Sequence, residues 1–407
     1  RSHTPPAPAA APVAAAASVA GQGVGALQAH LKAQPKDATA WAALGAAYVE
    51  EARVSGDPSR YPQAEKAFAR SLRLRPDDNA EALAGRAALA AARHDFPAAL
   101  RDAERALAVN AYSERALAVR IDALVELGRY GDASKAAKQA DARRPGIPVF
   151  TRFAYVHELR GDTAEARRVL ELALDSAAGS ADIAYTATAL GQLAWHEGQY
   201  ETALRHCDHA LKAEPGNLEA RDCRARARAG KGDLLGAIEE FEGIVERAPL
   251  PARLVTLGEL YEATGQRERA EQQYAVLGTW TGLARAGGVN PDLDTALAAA
   301  DHGNRADALR AARAEWQRRR TVHTEDALAW ALHRSGRSAE ALPHARKATA
   351  TGYRNAVFLY HRGMIERAAG DEAGARESLS RALALNPAFS PTGSREARRA
   401  LDGLEGS

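Results

Sequence analysis

The sequence predicts an all-α array of stacked antiparallel helix pairs, on three observations. Hydrophobic residues make up 46% of the chain but aromatics only 6%, so Ala carries the apolar content. Ala is the best helix former and a thin core filler, suited to close helix–helix contact. Runs of Val, Ile and Thr at alternating positions, the mark of strands, are missing. From Lys36 onward the chain repeats itself, and the closing prolines Pro215 and Pro249 are 34 residues apart.

Composition narrows the functional classes. At 407 residues the chain has room for about two or three ordinary domains or one long array. Lys and Arg number 54 against 52 Asp and Glu, a net +2. That balance argues against a general nucleic-acid binder but leaves room for a local basic stripe. Arg far outnumbers Lys, which with the abundant Ala fits a GC-rich bacterial genome. The Ala-rich stretch from Pro8 to Ala20 is too short for a membrane span and is broken by Pro12. Two cysteines are too few for a disulfide framework or a four-thiolate zinc site.

Residues 1–21 alternate Pro and Ala with no polar face to pack, and read as a polyproline-like tether or tag remnant. A tether behind a removed leader or lipid anchor is one explanation. A boundary inside a longer cytoplasmic protein is the other. The exported or membrane-tethered setting is preferred. A short helix follows, Ala26 to Lys32, closed by Pro35. A repeat array then occupies 22–277, counting that half-repeat. Its first full copy carries Trp41, Leu44, Gly45, Tyr48, Ala64, Phe68 and Pro76, with an insert around Val54 to Tyr61. Later copies carry Phe96 and Ala103, then Gly128, Tyr130, Ala133 and Pro145, then Gly161, Ala166 and Leu170. The fifth has Leu190, Gly191, Gly198, Tyr200, Ala203, Cys207, Ala210 and Pro215. Gly232, Ala237 and Phe241, then Leu257, Gly258, Tyr261, Gly265 and Tyr274, continue the series. Residues 278–301, rich in Gly, read as an irregular linker leading into a degenerate repeat. Residues 302–407 resume the array with Trp330, Leu332, Gly336 and Ala341, then Leu359, Gly363, Gly370, Ala375, Leu379 and Pro387. The helix from Ser394 to Leu404 reads as a solvating cap.

These residues resemble the tetratricopeptide repeat (TPR) family, whose motif runs Trp-x2-Leu-Gly-x2-Tyr, a Gly turn, Ala-x3-Phe-x2-Ala, then Pro. The resemblance covers about ten copies and nearly the whole chain. It implies a right-handed superhelical solenoid whose first helices line a concave groove. The physical logic is that one helix pair cannot bury its apolar face alone, so stacking builds one continuous core.

Catalytic signatures are missing. Gly230-Lys231-Gly232 is a repeat turn, not a phosphate loop. His157-Glu158 and His196-Glu197 lack the second His of a zincin helix. No cofactor, metal or catalytic residue is assigned, and the chain is read as non-enzymatic. In His206-Cys207-x-His209, Cys207 takes a core position, so the cluster reads as packing rather than a metal site. Cys207 and Cys223 flank the turn Pro215-Gly216-Asn217 almost symmetrically. Two reduced core thiols are the ordinary reading, and a disulfide is open if the helices bring their Cα atoms within about 7 Å. Arg313, Trp316, Arg318, Arg319 and Arg320, and Arg221, Arg224, Arg226 and Arg228, read as solvated faces paired with acids. Nucleic acid is not the expected partner.

The groove that the resemblance implies is the better candidate. Mapped family positions place there Asp122 and Glu126, Tyr155 and Glu158, Gln192, Trp195 and His196, and Asp222 and Arg226. Glu259 and Glu262, Asp326, Trp330 and His333, and Tyr360 and Arg367 complete the set. Trp195, Trp330, Tyr155 and Tyr360 are the expected anchors, since aromatics and Arg dominate binding hot spots. The expected function is a scaffold that binds a peptide or protein partner in the groove, with self-association also open. A sensor module of a regulatory system and an exported or membrane-tethered assembly factor are the alternatives.

Overall fold

A computed structural model describes residues 23–405. The expected tether at 1–21 lies outside them. Among the described residues the secondary structure is helical throughout, without strands, as the composition requires. The chain divides into two compact units. The first comprises 23–156 and 281–291, and the second 157–280 and 292–405.

Helices α1 (Val24–Ala33), α2 (Ala38–Ser55), α3 (Tyr61–Leu74), α4 (Ala80–Ala92), α5 (Phe96–Val109), α6 (Glu114–Glu126), α7 (Tyr130–Arg143) and α8 (Ile147–Glu158) follow one another in the first part of the chain. Next come α9 (Thr163–Asp175), α10 (Ser180–His196), α11 (Tyr200–Ala213), α12 (Leu218–Gly230), α13 (Leu234–Arg247), α14 (Pro251–Ala263) and α15 (Arg267–Ala286). The last are α16 (Asp292–His302), α17 (Arg305–Arg318), α18 (Val322–Arg334), α19 (Ser338–Ala348), α20 (Ala356–Ala368), α21 (Glu372–Leu385) and α22 (Gly393–Glu405).

Local signals set these boundaries. Asp and Asn side chains accept from backbone N–H groups at helix starts: Asp37 from Ala40, Asn79 from Ala82, Asp162 from Glu165 and Asn217 from Ala220. Glycines in the left-handed region turn one helix into the next, among them Gly128, Gly198 and Gly336. The second copy, whose motif is weak, puts His94 there at φ 61°.

Packing explains the repeat motif. Phe68 is fully buried, and a Cβ at Gly45 would stand 2.6 Å from its ring. Gly85, on the next first helix, approaches the same ring. Gly258 and Tyr274 repeat the arrangement, as do Gly363 and Leu379. A glycine on the first helix thus makes room for the large residue of the second.

The segment expected as an irregular linker is mostly helical. Residues 278–286 extend α15, and 292–302 lie in α16. Nothing lies within 4 Å of a Cβ built at Gly278 or Gly282, so no close neighbour requires glycine at either position. The non-helical turn between α15 and α16 packs within the first unit. Gly287 O accepts from Arg93 Nε at 3.0 Å, Asn290 N donates to Arg93 O at 3.0 Å, and His94 Nδ1 stands 2.8 Å from Asn290 O. Compactness divides the chain after 156 and around 281–291.

Candidate groove of the second unit

Helices α10, α12 and α14 carry one connected face. Residues spaced by three and four on a helix share a side, which puts Gln192, Trp195 and His196 together on α10. On α12 the same spacing aligns Asp222 with Arg226. Arg226 donates Nε–H to Asp222 at 2.5 Å, and its guanidinium carbon lies 5.9 Å from the Trp195 ring and 5.4 Å from Phe241. Buried Arg253 of α14 reaches back to α12, donating to Asp222 at 3.3 Å and Glu219 at 2.6 Å. Removing one partner of such a buried pair strands the other charge, at about 3–5 kcal/mol.

Glu259, fully buried, accepts from Ser390 Oγ at 3.0 Å. His302 Nε2 lies 3.4 Å from its other oxygen, and the His302 ring stacks on Tyr274 with centroids 3.9 Å apart. Tyr274 in turn donates to Glu262 at 2.8 Å.

The chain's own segment between α21 and α22 lies across this face. Asn386 Nδ2 donates to Trp195 O at 2.8 Å, and Asn386 Oδ1 accepts from Tyr200 Oη at 2.5 Å. The amide of Ala388 donates to Tyr200 Oη at 2.9 Å. Burial pushes the Tyr200 hydroxyl up to about 12, so it keeps its proton. Arg398 donates to the Pro387 carbonyl. A cavity of about 210 Å³ remains, walled on one side by Trp195, Arg226, Ala229 and Leu234 and on the other by residues 387–391, Arg395 and Arg398.

The expected aromatic anchors are not free to receive a partner, which corrects the reading of an open aromatic groove. Exposure is 8% for Trp195, 2% for Trp330, 7% for Tyr155 and 1% for Tyr360. Trp330 donates its indole N–H to Asp301 at 3.1 Å and stacks on His361, centroids 4.0 Å apart. His361 Nδ1 lies 2.9 Å from buried Asp326, and His333 stacks on the Trp330 ring at 5.0 Å. Tyr360 donates to Glu396 at 2.5 Å and lies 5.3 Å from Phe389. With so little aromatic content, the array spends its large rings on filling gaps between Ala-lined helices. Gln192, His196, Arg226, Glu262, His333 and Glu158 are half-buried, Glu259 and Asp326 are buried, and Arg367 is exposed.

Several groups carry displaced pKa values. Burial, then the charge of Glu197, raises Glu158 to about 8. Burial, then Arg226, lowers His196 to about 4. Burial, then His361 and Arg334, lowers His333 to about 4.

Cys207 and Cys223 are placed with their sulfurs at bonding distance and their Cα atoms 6.1 Å apart. A Cβ at Gly191 would meet both sulfurs at 2.7 Å, so the motif glycine is what admits them. Among the described residues no cluster of three or more His, Cys, Asp or Glu is arranged to hold a metal ion, and no helix is long and apolar enough to cross a membrane.

Sequence reasoning missed Asn386, Ser390 and Arg253. Asn386-Pro387 looks like any repeat end, and Arg253 follows a proline at a helix start, so neither signals a long-range partner.

No family model matches the chain, and no curated protein matches it. Solved structures do. Human IFIT1, as a dimer with m7Gppp-AAAA, is 14% identical and aligns over 89% of this chain and 85% of its own, with a TM-score of 0.50. A thermophilic TPR protein of Thermus thermophilus is 24% identical over 42% of this chain and 91% of its own, with a TM-score of 0.39. The Cut9 and Hcn1 complex is 12% identical over 93% of this chain and 92% of its own, at 0.42. At such identities the likeness is one of fold. Stacked helix pairs with glycine turns and glycine-on-ring contacts define an α-solenoid. The motif residues that make those contacts follow the tetratricopeptide pattern, and the fold is that of a TPR-type solenoid.

Proposed function

We propose that the chain is a non-enzymatic interaction scaffold that takes a peptide segment of a partner on its first-helix face. One observation supports this above others. The face of α10, α12 and α14 already holds a non-helical segment of the chain, 386–392, in which Asn386 donates to the Trp195 carbonyl and the Ala388 amide donates to the Tyr200 hydroxyl. A surface that satisfies one non-helical segment has the donors and pockets to satisfy another. The partially open residues Gln192, His196, Arg226, Glu262, His333 and Arg367 would supply its polar contacts, with the buried aromatics as support beneath them.

Peptide display against the intact chain tests this reading. Peptides that bind the wild type and are lost in Gln192→Ala/Arg367→Ala, with helical circular dichroism unchanged, are the expected result. Peptides retained by that variant would move binding off this face, and a selection that recovers none would end the peptide reading.

An exported assembly factor is the second reading, favoured by the placement of Cys207 and Cys223 at bonding distance. Disulfides persist in oxidising compartments. Blocking free thiols in living source cells before lysis distinguishes them: an exported protein should show none to block.

A further inference from the structure

The cavity beneath residues 387–395 has a one-sided chemistry. Its charged lining residues are Arg226, Arg395 and Arg398, and among the described residues no carboxylate lines it. Arg226 gives its Nε–H to Asp222, and its guanidinium makes no other hydrogen bond among the described residues. Arg398 gives one donor to the Pro387 carbonyl. Arg395 is exposed and makes no side-chain hydrogen bond or ion pair among the described residues. The rest of the wall is largely apolar, with Ala229, Leu234 and Ala263 facing Pro387, Phe389 and Pro391.

The charged groups of the wall are thus all donors, beside the hydroxyl-bearing Thr256, Ser390 and Ser394. A largely apolar wall with guanidinium donors is matched by a group that brings acceptors, negative charge and a hydrocarbon body together. At about 210 Å³ the space lies below the roughly 300–1,000 Å³ of drug-sized sites, which suits a metabolite.

We infer that this cavity is a binding site for a small free carboxylate with a compact apolar body. Its carboxylate takes donors from the arginines, and its hydrocarbon covers Ala229, Leu234 and Pro391. The site does not depend on the peptide reading. Its ligand is a diffusible acid, and it forms within one unit from α10, α12, α14 and the α21–α22 segment.

Calorimetric titration of the 407-residue chain with sodium hexanoate, hexanol and hexylamine tests it. Hexanoate should bind saturably at one site, with hexanol and hexylamine at least about tenfold weaker, a difference of one decade in Kd. Arg395→Gln/Arg398→Gln changes exposed side chains, so it should fold normally, with an unchanged melting curve, and weaken hexanoate by about tenfold or more. Hexanoate that binds no better than hexanol would overturn the inference, because the arginines would then do nothing. Equal hexanoate binding by the variant would overturn it too, by moving the acid elsewhere. Peptide capture is a separate measurement, so its failure leaves this result standing and the reverse holds equally.

Discussion

Asn386 donates its side-chain amide to the backbone carbonyl of Trp195 across 191 residues of sequence. The same side chain accepts from Tyr200, whose hydroxyl receives the amide of Ala388. One asparagine thus ties the α10–α11 turn to the start of the last turn of the array. Asn386→Ala removes one hydrogen bond at the Trp195 carbonyl, which still accepts from Gly198 N, and leaves the Tyr200 hydroxyl proton without its acceptor. We expect a loss of about 1–3 kcal/mol, read as faster amide exchange in 196–200 and 386–392. Exchange unchanged in both segments would show that the tie carries no stability.

Gly161 and Gly352 form a second tie within the same unit. Their φ values are 79° and 86°, and a Cβ at Gly352 would stand 2.8 Å from the Arg160 carbonyl oxygen. Gly352→Ala combines a left-handed backbone with a clash against backbone, which cannot rotate away. Destabilisation of about 1–3 kcal/mol is expected, against a near-neutral effect for Gly131→Ala, whose Cβ meets nothing within 4 Å. Equal melting temperatures for both variants would refute the contrast.

The cysteine pair and Gly191 act as one packing unit. A Cβ at Gly191 would press on both sulfurs, so Gly191→Ala should cost about 1–3 kcal/mol by overpacking. Chain purified without reductant should show no thiol to a titrating reagent after denaturation. Reduction should then lower stability by about 3 kcal/mol, the loop-closure value for a span of this length. Two titratable thiols in fresh protein would leave the pair as reduced core residues.

Acid–base linkage gives a further prediction. Glu158 has its pKa raised to about 8 by burial and Glu197. The folded chain therefore binds a proton that the unfolded chain releases above about 4.3. Its contribution is complete below that value and is lost as pH rises through about 8. His196 and His333, lowered to about 4, act the other way, and their contribution falls as pH drops below about 6.5. Between about 6.5 and 8 only Glu158 of these three changes. The melting temperature of the wild type should fall across that window, and Glu158→Gln should flatten the fall. A wild-type slope that survives the substitution would assign it to another group.

The fold class was legible in the sequence because it is written locally and many times over. Ala-rich helices, Asp and Asn caps, turn glycines and closing prolines each act within a few residues, and stacking copies extends one solution. The helices at both ends fell where Pro35 and the 394–404 pattern put them. The glycine-rich stretch misled for a physical reason. Gly278 and Gly282 lower helix propensity by about 1 kcal/mol each, a penalty that α15 absorbs.

The site was legible only in part. Trp195 lies beside Arg226, Glu259 accepts from Ser390, Trp330 donates to Asp301 and Tyr360 donates to Glu396. Whether an inward ring meets solvent or another ring depends on what the chain brings back to it later. Sequence determined the repeat and its turns, since those follow from contacts between neighbours. Tertiary structure alone decided that 386–392 would lie on the α10–α14 face, that the aromatics would be buried, and that a donor-lined cavity would remain. Those outcomes rest on pairs such as Asn386 with Trp195 and Ser390 with Glu259, separated by 191 and 131 residues. No local pattern records a partner that far away.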